Sequence, residues 1–125
     1  MTNAEKLARL AETDNTFSRR GGDWVGKCLI CNGPIAFDAR TGEGATLEHI
    51  RARHRGGTDV PENLGIAHAR CNAEKGRRWD PKRRRPGPDY DDFVARLLEC
   101  RRRRQRVTVT TQRTDPTRPD QHEEF

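Results

Sequence analysis

A chain of 125 residues has the length expected of one domain with tails rather than of a two-domain enzyme. Only 31% of its residues are hydrophobic against 35% charged, so little apolar surface is available for a core and something else must help hold the fold. With 25 Lys and Arg against 19 Asp and Glu, the net charge of +6 suits a polyanionic partner, nucleic acid before any other.

The first predicted element is a short helix capped by Asn3 and running to about Glu12, with Leu7, Leu10 and Ala11 on one face. Residues 13–23 are polar and contain Arg19-Arg20-Gly21-Gly22, the pattern of a linker, so the compact domain is expected to start near residue 23. Asn32-Gly33 marks a turn after Cys31, and Pro34-Ile35-Ala36-Phe37 is a short apolar run before Thr41-Gly42-Glu43-Gly44, which predicts small strands flanking turns. Ala45 to Ile50 reads as another strand with Glu48 and His49 on opposite faces, and Arg51 to Glu62 reads as a loop. The spacing of Leu64, Ala67, Cys71 and Lys75 predicts a helix over 63–78, weakened by Gly65 in its first turn and ended near Gly76.

Pro81, Pro86 and Pro88 forbid a helix across 80–88, which leaves the run Lys82-Arg83-Arg84-Arg85 on an extended, exposed segment. A last helix is expected from Asp89, capped by its carboxylate, with Tyr90, Phe93, Val94, Leu97 and Cys100 as its apolar stripe and Arg101 to Arg104 at its negative pole. Residues 107–111 could add an edge strand, and the polar, proline-containing remainder is expected to be disordered. The organisation is thus an N-terminal helix and linker at 1–22, a central domain at 23–80, a basic arm and helix at 81–106, and a tail at 107–125.

Charge follows this division. Residues 1–76 carry 11 basic and 10 acidic groups, residues 77–106 carry 12 and 5, and residues 107–125 carry 2 and 4, so the basic excess sits beside the central domain rather than in it. No stretch approaches the ~18 apolar residues of a membrane helix, and the opening MTNAEKLARL lacks a signal peptide's apolar core, so a soluble, cytoplasmic protein without a membrane partner is expected. In a reducing compartment four cysteines are expected to hold metal or stay free rather than pair.

Cys28 and Cys31 form a C-x-x-C pair, matched by His68 and Cys71 at H-x-x-C spacing. Three thiolates and an imidazole make a closed tetrahedral set of the structural-zinc type, with no position left for water. A lone His68 would read as a helix-surface histidine; its spacing from Cys71 is what recruits it. A redox pair at Cys28 and Cys31 is the alternative, but the surrounding Pro, Gly and charge pattern is unlike a βαβ redox domain.

Between the ligand pairs lie Leu47-Glu48-His49-Ile50, Gly56-Gly57 and Asn63-Leu64, followed by Cys71-Asn72-Ala73-Glu74-Lys75-Gly76. In this order and at these intervals the segment from Cys28 to Gly76 resembles the HNH family of metal-dependent nucleases, in the subtype that sets its active site in a two-CxxC zinc frame. The resemblance implies an α+β fold of the ββα-metal type stabilised by structural zinc, flanked here by helices and a disordered C-terminal tail. It implies His49 as the general base, Glu48 and Asn72 as oxygen ligands of one Mg²⁺ or Mn²⁺ ion, and Asn63 as the residue that holds the active-site loop and orients His49. The chemistry agrees: an imidazole titrates near neutral pH, and hard cations prefer oxygen donors. Three positions depart from the common pattern. His68 stands where Cys is usual, Glu48 where Asp is frequent, and Ala52 where proline is frequent.

Taken singly, His49 reads as a buried structural histidine and Asn63 as a helix cap; only the ordered set makes them catalytic candidates. His54 reads as a loop residue or phosphate contact, Cys100 as a packing residue, and Trp24 and Trp79 as packing residues, with base stacking an alternative for Trp79. Arg51, Arg53, Lys75, Arg77, Arg78, Lys82, Arg83, Arg84 and Arg85 are expected to hold DNA, duplex in form, through its backbone and with strong salt dependence. The expected activity is therefore metal-dependent DNA cleavage, by nicking or double-strand scission. The alternative is a zinc-stabilised DNA-binding module without catalysis. A nuclease of this size also fits work beside a larger protein partner, such as packaging or restriction machinery.

Overall fold

The structure, a computed structural model, describes residues 1–79 and 87–106. Helix α1 spans Asn3–Thr13, strands β1 to β5 span Ser18–Arg20, Asp23–Lys27, Pro34–Asp38, Thr46–His49 and Leu64–Ala67, and helices α2 and α3 span Ala69–Arg78 and Pro88–Arg104. The architecture is α+β, with β1-β2-β3 in one antiparallel sheet and β4-β5 in another. None of the described helices is long and apolar enough to cross a membrane.

Helix α1 is capped by Thr2, not by the expected Asn3. The Thr2 hydroxyl accepts from the Glu5 N–H at 3.1 Å and the Glu5 carboxylate accepts from the Thr2 N–H at 3.1 Å, a reciprocal capping box. Leu7, Leu10 and Ala11 are buried on one face, as their spacing requires.

The stretch read as a linker is structured. Ser18 to Arg20 pairs with β2 across a Gly21-Gly22 turn, and Phe17, just before it, is 1% exposed. Gly21 has φ +61°, a conformation that tight hairpin turns require and that side chains resist. Phe17 packs in one cluster with Leu7 and Leu10 of α1, Trp24 of β2, Ile35 and Phe37 of β3, and Leu64 and Ile66 of β5. The N-terminal helix is therefore part of the same core as the strands that follow it.

The helix expected over 63–78 starts later. Leu64 to Ala67 forms β5, antiparallel to β4 in the register Thr46↔Ala67, Leu47↔Ile66, Glu48↔Gly65 and His49↔Leu64. All four residues are buried, and a Cβ at Gly65 would lie 2.4 Å from Leu29, so the glycine admits a neighbouring side chain rather than weakening a helix. Helix α2 begins at Ala69, immediately after His68, and ends at Arg78, near the expected position. The central order is strand, loop, strand, helix.

Helix α3 is entered through Gly87, with Pro88 in the first turn; Asp89 lies inside the helix and does not cap it. Tyr90, Val94 and Leu97 pack with Leu29 and Ile50 in a second cluster, against which Trp79, Phe93 and Cys100 also lie. The terminal arginines divide into two pairs. Arg101 donates to the Leu64 carbonyl at 2.9 Å and the Thr13 hydroxyl at 2.8 Å, and Arg104 donates to the Lys27 carbonyl at 3.1 Å and Asn32 Oδ1 at 2.6 Å. Arg102 and Arg103 remain at the surface on Glu99. The extended arm expected at Lys82 to Arg85, the edge strand expected at 107–111 and the expected disordered tail fall outside the described residues.

Candidate metal centre and active site

Cys28, Cys31, His68 and Cys71 come together as a candidate zinc site, with one ligand atom from each and all four atoms within 4.8 Å of one another. The first pair sits on the turn joining β2 to β3, where the Cys28 N–H donates to the Gly33 carbonyl at 2.8 Å and Asn32 adopts φ +61°. The second pair brackets the start of α2. Cys31 Sγ lies 3.4 Å and Cys71 Sγ 3.7 Å from His68 Nδ1. These separations match the edges of a tetrahedron with Zn–S of about 2.3 Å and Zn–N of about 2.0 Å. The other imidazole nitrogen of His68 faces the Pro34 carbonyl at 2.8 Å, which places the ring proton on Nε2 and turns the Nδ1 lone pair toward the thiols.

The thiols differ sharply in acidity. The Gly33 N–H, 3.3 Å from Cys31 Sγ, leads the neighbours that lower the Cys31 thiol to about 7. Burial, and then the neighbouring Cys31, pushes the Cys71 thiol up to about 12. Thiolates crowded in this way resist ionising together until a dication joins them, so the donor set fits Zn²⁺ in charge as well as in geometry.

The β4–β5 hairpin and α2 carry the remaining candidates. Alternation along β4 sends Glu48 toward α2 and His49 toward the connecting loop. Glu48 is 3% exposed; its Oε1 lies 3.1 Å from Lys75 Nζ, which also donates to the His49 carbonyl at 3.1 Å. Lys75, expected to contact DNA, is thus an interior residue, because a lysine projecting from this face of α2 meets a buried carboxylate rather than solvent. Asn72, one turn earlier on α2, donates from Nδ2 to Thr46 Oγ1 at 3.3 Å, so Asn72 and Glu48 both belong to the β4–α2 contact.

Asn63 is buried and fully engaged by the loop. Its Oδ1 accepts from the Arg51 N–H at 2.9 Å, and its Nδ2 donates to the Arg51 carbonyl at 3.1 Å and the Thr58 carbonyl at 2.8 Å. The same fold-back brings Gly57 so close that a Cβ there would lie 1.8 Å from the Arg51 carbonyl oxygen. Asn63 makes these contacts to the loop and not to the His49 ring.

The partner of His49 is Asp59, which sequence reasoning missed. His49 Nε2 lies 2.7 Å from Asp59 Oδ1, and Arg53 holds the same carboxylate through Nη2, 2.9 Å from Oδ1 and 2.8 Å from Oδ2. The His49 contact, followed by Arg53, holds the Asp59 carboxyl below its ordinary range. The available signal was an acid two residues after the glycine pair; nothing local ties it to a histidine ten positions earlier.

The remaining basic candidates are dispersed. Arg51 lies 3.4 Å from Asp91 and 5.7 Å above the Tyr90 ring, Arg77 is exposed on Glu74, and Arg78 is exposed over the Trp79 ring. His54 is exposed on a single helical turn at Arg53–Arg55. Trp79 stacks on Phe93 with centroids 4.4 Å apart and planes 3° from parallel, while Trp24 is buried in the first core cluster.

A family model described as HNH endonuclease matches residues 28–78. No curated protein and no solved structure matches the chain. The matched segment runs from the first candidate zinc ligand to the end of α2 and contains Glu48, His49, Asp59, Asn63 and Asn72. That match, framed by the four-ligand centre, makes this segment of the chain similar to the HNH endonuclease family.

Proposed function

We propose that the protein is a metal-dependent DNA endonuclease in which His49 is the general base. The observation that carries this reading is the 2.7 Å contact of His49 with a carboxylate, inside a family-matched segment and at the end of a strand whose loop is pinned by Asn63. A histidine held by an acid at one nitrogen and joined to the frame by its backbone is arranged to accept a proton at the other.

In the reaction, His49 takes a proton from water, the water oxygen forms a bond to phosphorus, and the bond from phosphorus to the leaving sugar oxygen breaks. The leaving oxygen takes a proton from solvent. Glu48 and Asn72 are the oxygen donors that would hold Mg²⁺ or Mn²⁺, since each offers the side-chain oxygen that a hard cation prefers; Glu48 Oε1 lies on Lys75 and the Asn72 amide on Thr46. A cation bound there supplies neutralisation of the charge that builds on the phosphate. Lys75 is already a neighbour of Glu48, fixing one carboxylate oxygen and the strand backbone behind His49. Arg51, Arg53, Arg77 and Arg78, with the basic arm at Lys82 to Arg85, are the residues offered for contact with the DNA backbone.

Plasmid DNA incubated with Mg²⁺ or Mn²⁺ tests the reading. Wild type is expected to nick or linearise it, and His49→Ala to lose about 100-fold or more of the rate while still binding DNA. Equal cleavage by both proteins rejects His49 as the base. Salt-sensitive binding without any cleavage would leave the non-catalytic zinc module as the function.

A further inference from the structure

We propose that Asp59 is a positioning residue that fixes His49 in the tautomer with its proton on Nε2, so that Nδ1 carries the lone pair that takes the proton from water. The inference rests on the reading of His49 as general base. It specifies which nitrogen acts and which residue decides it.

Asp59 Oδ1 and His49 Nε2 are 2.7 Å apart, a charge-assisted hydrogen-bond length that requires a proton between them. An ionised carboxylate can only accept, so the proton belongs to Nε2. Were Nε2 the lone-pair nitrogen, two acceptors would face each other at that distance. Arg53 Nε also lies 3.3 Å from Nε2, but it lies 3.2 Å from Asp59 Oδ1, where it finds an acceptor whichever tautomer His49 adopts.

Arg53 also determines how Asp59 points. Its Nη2 reaches both carboxylate oxygens, which fixes the plane of the carboxylate and leaves Oδ1 directed at the imidazole. The other end of the arrangement is tied down by backbone. Lys75 donates to the His49 carbonyl, and the Ile50 N–H donates to the Asn63 carbonyl at 2.8 Å, so neither His49 nor the loop carrying Asp59 is free to drift. An acid that sets a base's tautomer through a third, cationic partner requires these three residues together, and the fold-back of the loop at Gly57 brings them there.

The test reads the ring directly and the chemistry separately. Long-range ¹⁵N–¹H correlation spectra of the zinc-loaded full chain, at alkaline pH where imidazoles are neutral, report which nitrogen of His49 carries the proton. Wild type is expected to show Nε2–H. In Asp59→Asn the amide can turn its NH₂ to the ring, so the Nδ1–H form should appear, with kcat falling at least about tenfold and DNA affinity held within about twofold. Asp59→Glu, which keeps an acceptor, should retain the Nε2–H form and recover part of the rate. A wild-type Nδ1–H ring, or an Asp59→Asn protein with unchanged tautomer and unchanged kcat, overturns the proposal. If His49→Ala cleaves as wild type does, the general-base reading fails instead, whatever the spectra show for Asp59.

Discussion

Lys75 places its ammonium 3.1 Å from the Glu48 carboxylate with both side chains closed to solvent, 0% and 4% exposed. The pair joins α2 to β4 directly behind His49, whose carbonyl accepts from the same ammonium. A lysine that the sequence offers as a DNA contact is therefore the polar centre of the hairpin–helix junction. Taking such a charge out of water costs several kcal/mol per ion, and here the opposite charge and the carbonyl offset it.

Removing one partner should therefore be far worse than removing both. Lys75→Met is expected to cost about 3–5 kcal/mol by stranding the carboxylate, whereas Lys75→Met with Glu48→Gln should recover a large part of that loss. Urea denaturation of the zinc-loaded proteins measures both. An unchanged midpoint for Lys75→Met would show that the pair is not the junction described here, and a reduced DNA affinity without loss of stability would return Lys75 to the surface.

The candidate zinc site carries the second prediction. The core is two small clusters, and the candidate ligands tie the β2–β3 turn to the start of α2 between them. Metal binding in so small a domain supplies folding free energy, on the order of 10 kcal/mol for structural zinc. Chelation, or Cys31→Ser, is thus expected to unfold the chain rather than merely inactivate it. Far-ultraviolet circular dichroism checks this, and helical signal retained after zinc removal would contradict it.

Much of this architecture was legible in the residues. The four-ligand set follows from two spacings, the Asn32-Gly33 turn from its composition, and the α3 stripe from its period. The rest depended on partners distant in the chain. Leu64 to Ala67 is an apolar run that fits a buried strand or the start of a helix equally well, and its pairing with β4 decides the matter. Residues 13–23 look like a linker because β1 is a short, exposed edge strand whose signal lies in its neighbour β2, while the single apolar residue, Phe17, does the burying. Asp59 is invisible as a site residue until Asn63 and Gly57 fold the loop onto His49. Lys75 reads as a surface charge until Glu48 is found beneath it.

The arginines at the end of α3 give the last prediction, because four identical neighbours do two different jobs. Helical geometry sends positions 101 and 104 to one side, where Arg101 bonds the β5 backbone and α1, and Arg104 bonds the turn that carries Cys28 and Cys31. Positions 102 and 103 point to solvent and share Glu99. Arg101→Ala or Arg104→Ala is expected to lower stability by about 2–3 kcal/mol, since buried carbonyls lose charge-assisted donors and the long stems leave space behind. Arg102→Ala and Arg103→Ala, removing surface ion pairs, should each fall within about 0.5 kcal/mol of wild type. Denaturation midpoints separate the two classes, and DNA titrations at several salt concentrations should show any change in salt slope only in the second. Four arginines with equal effects on stability would mean that α3 does not lock the turn carrying Cys28 and Cys31 to α1.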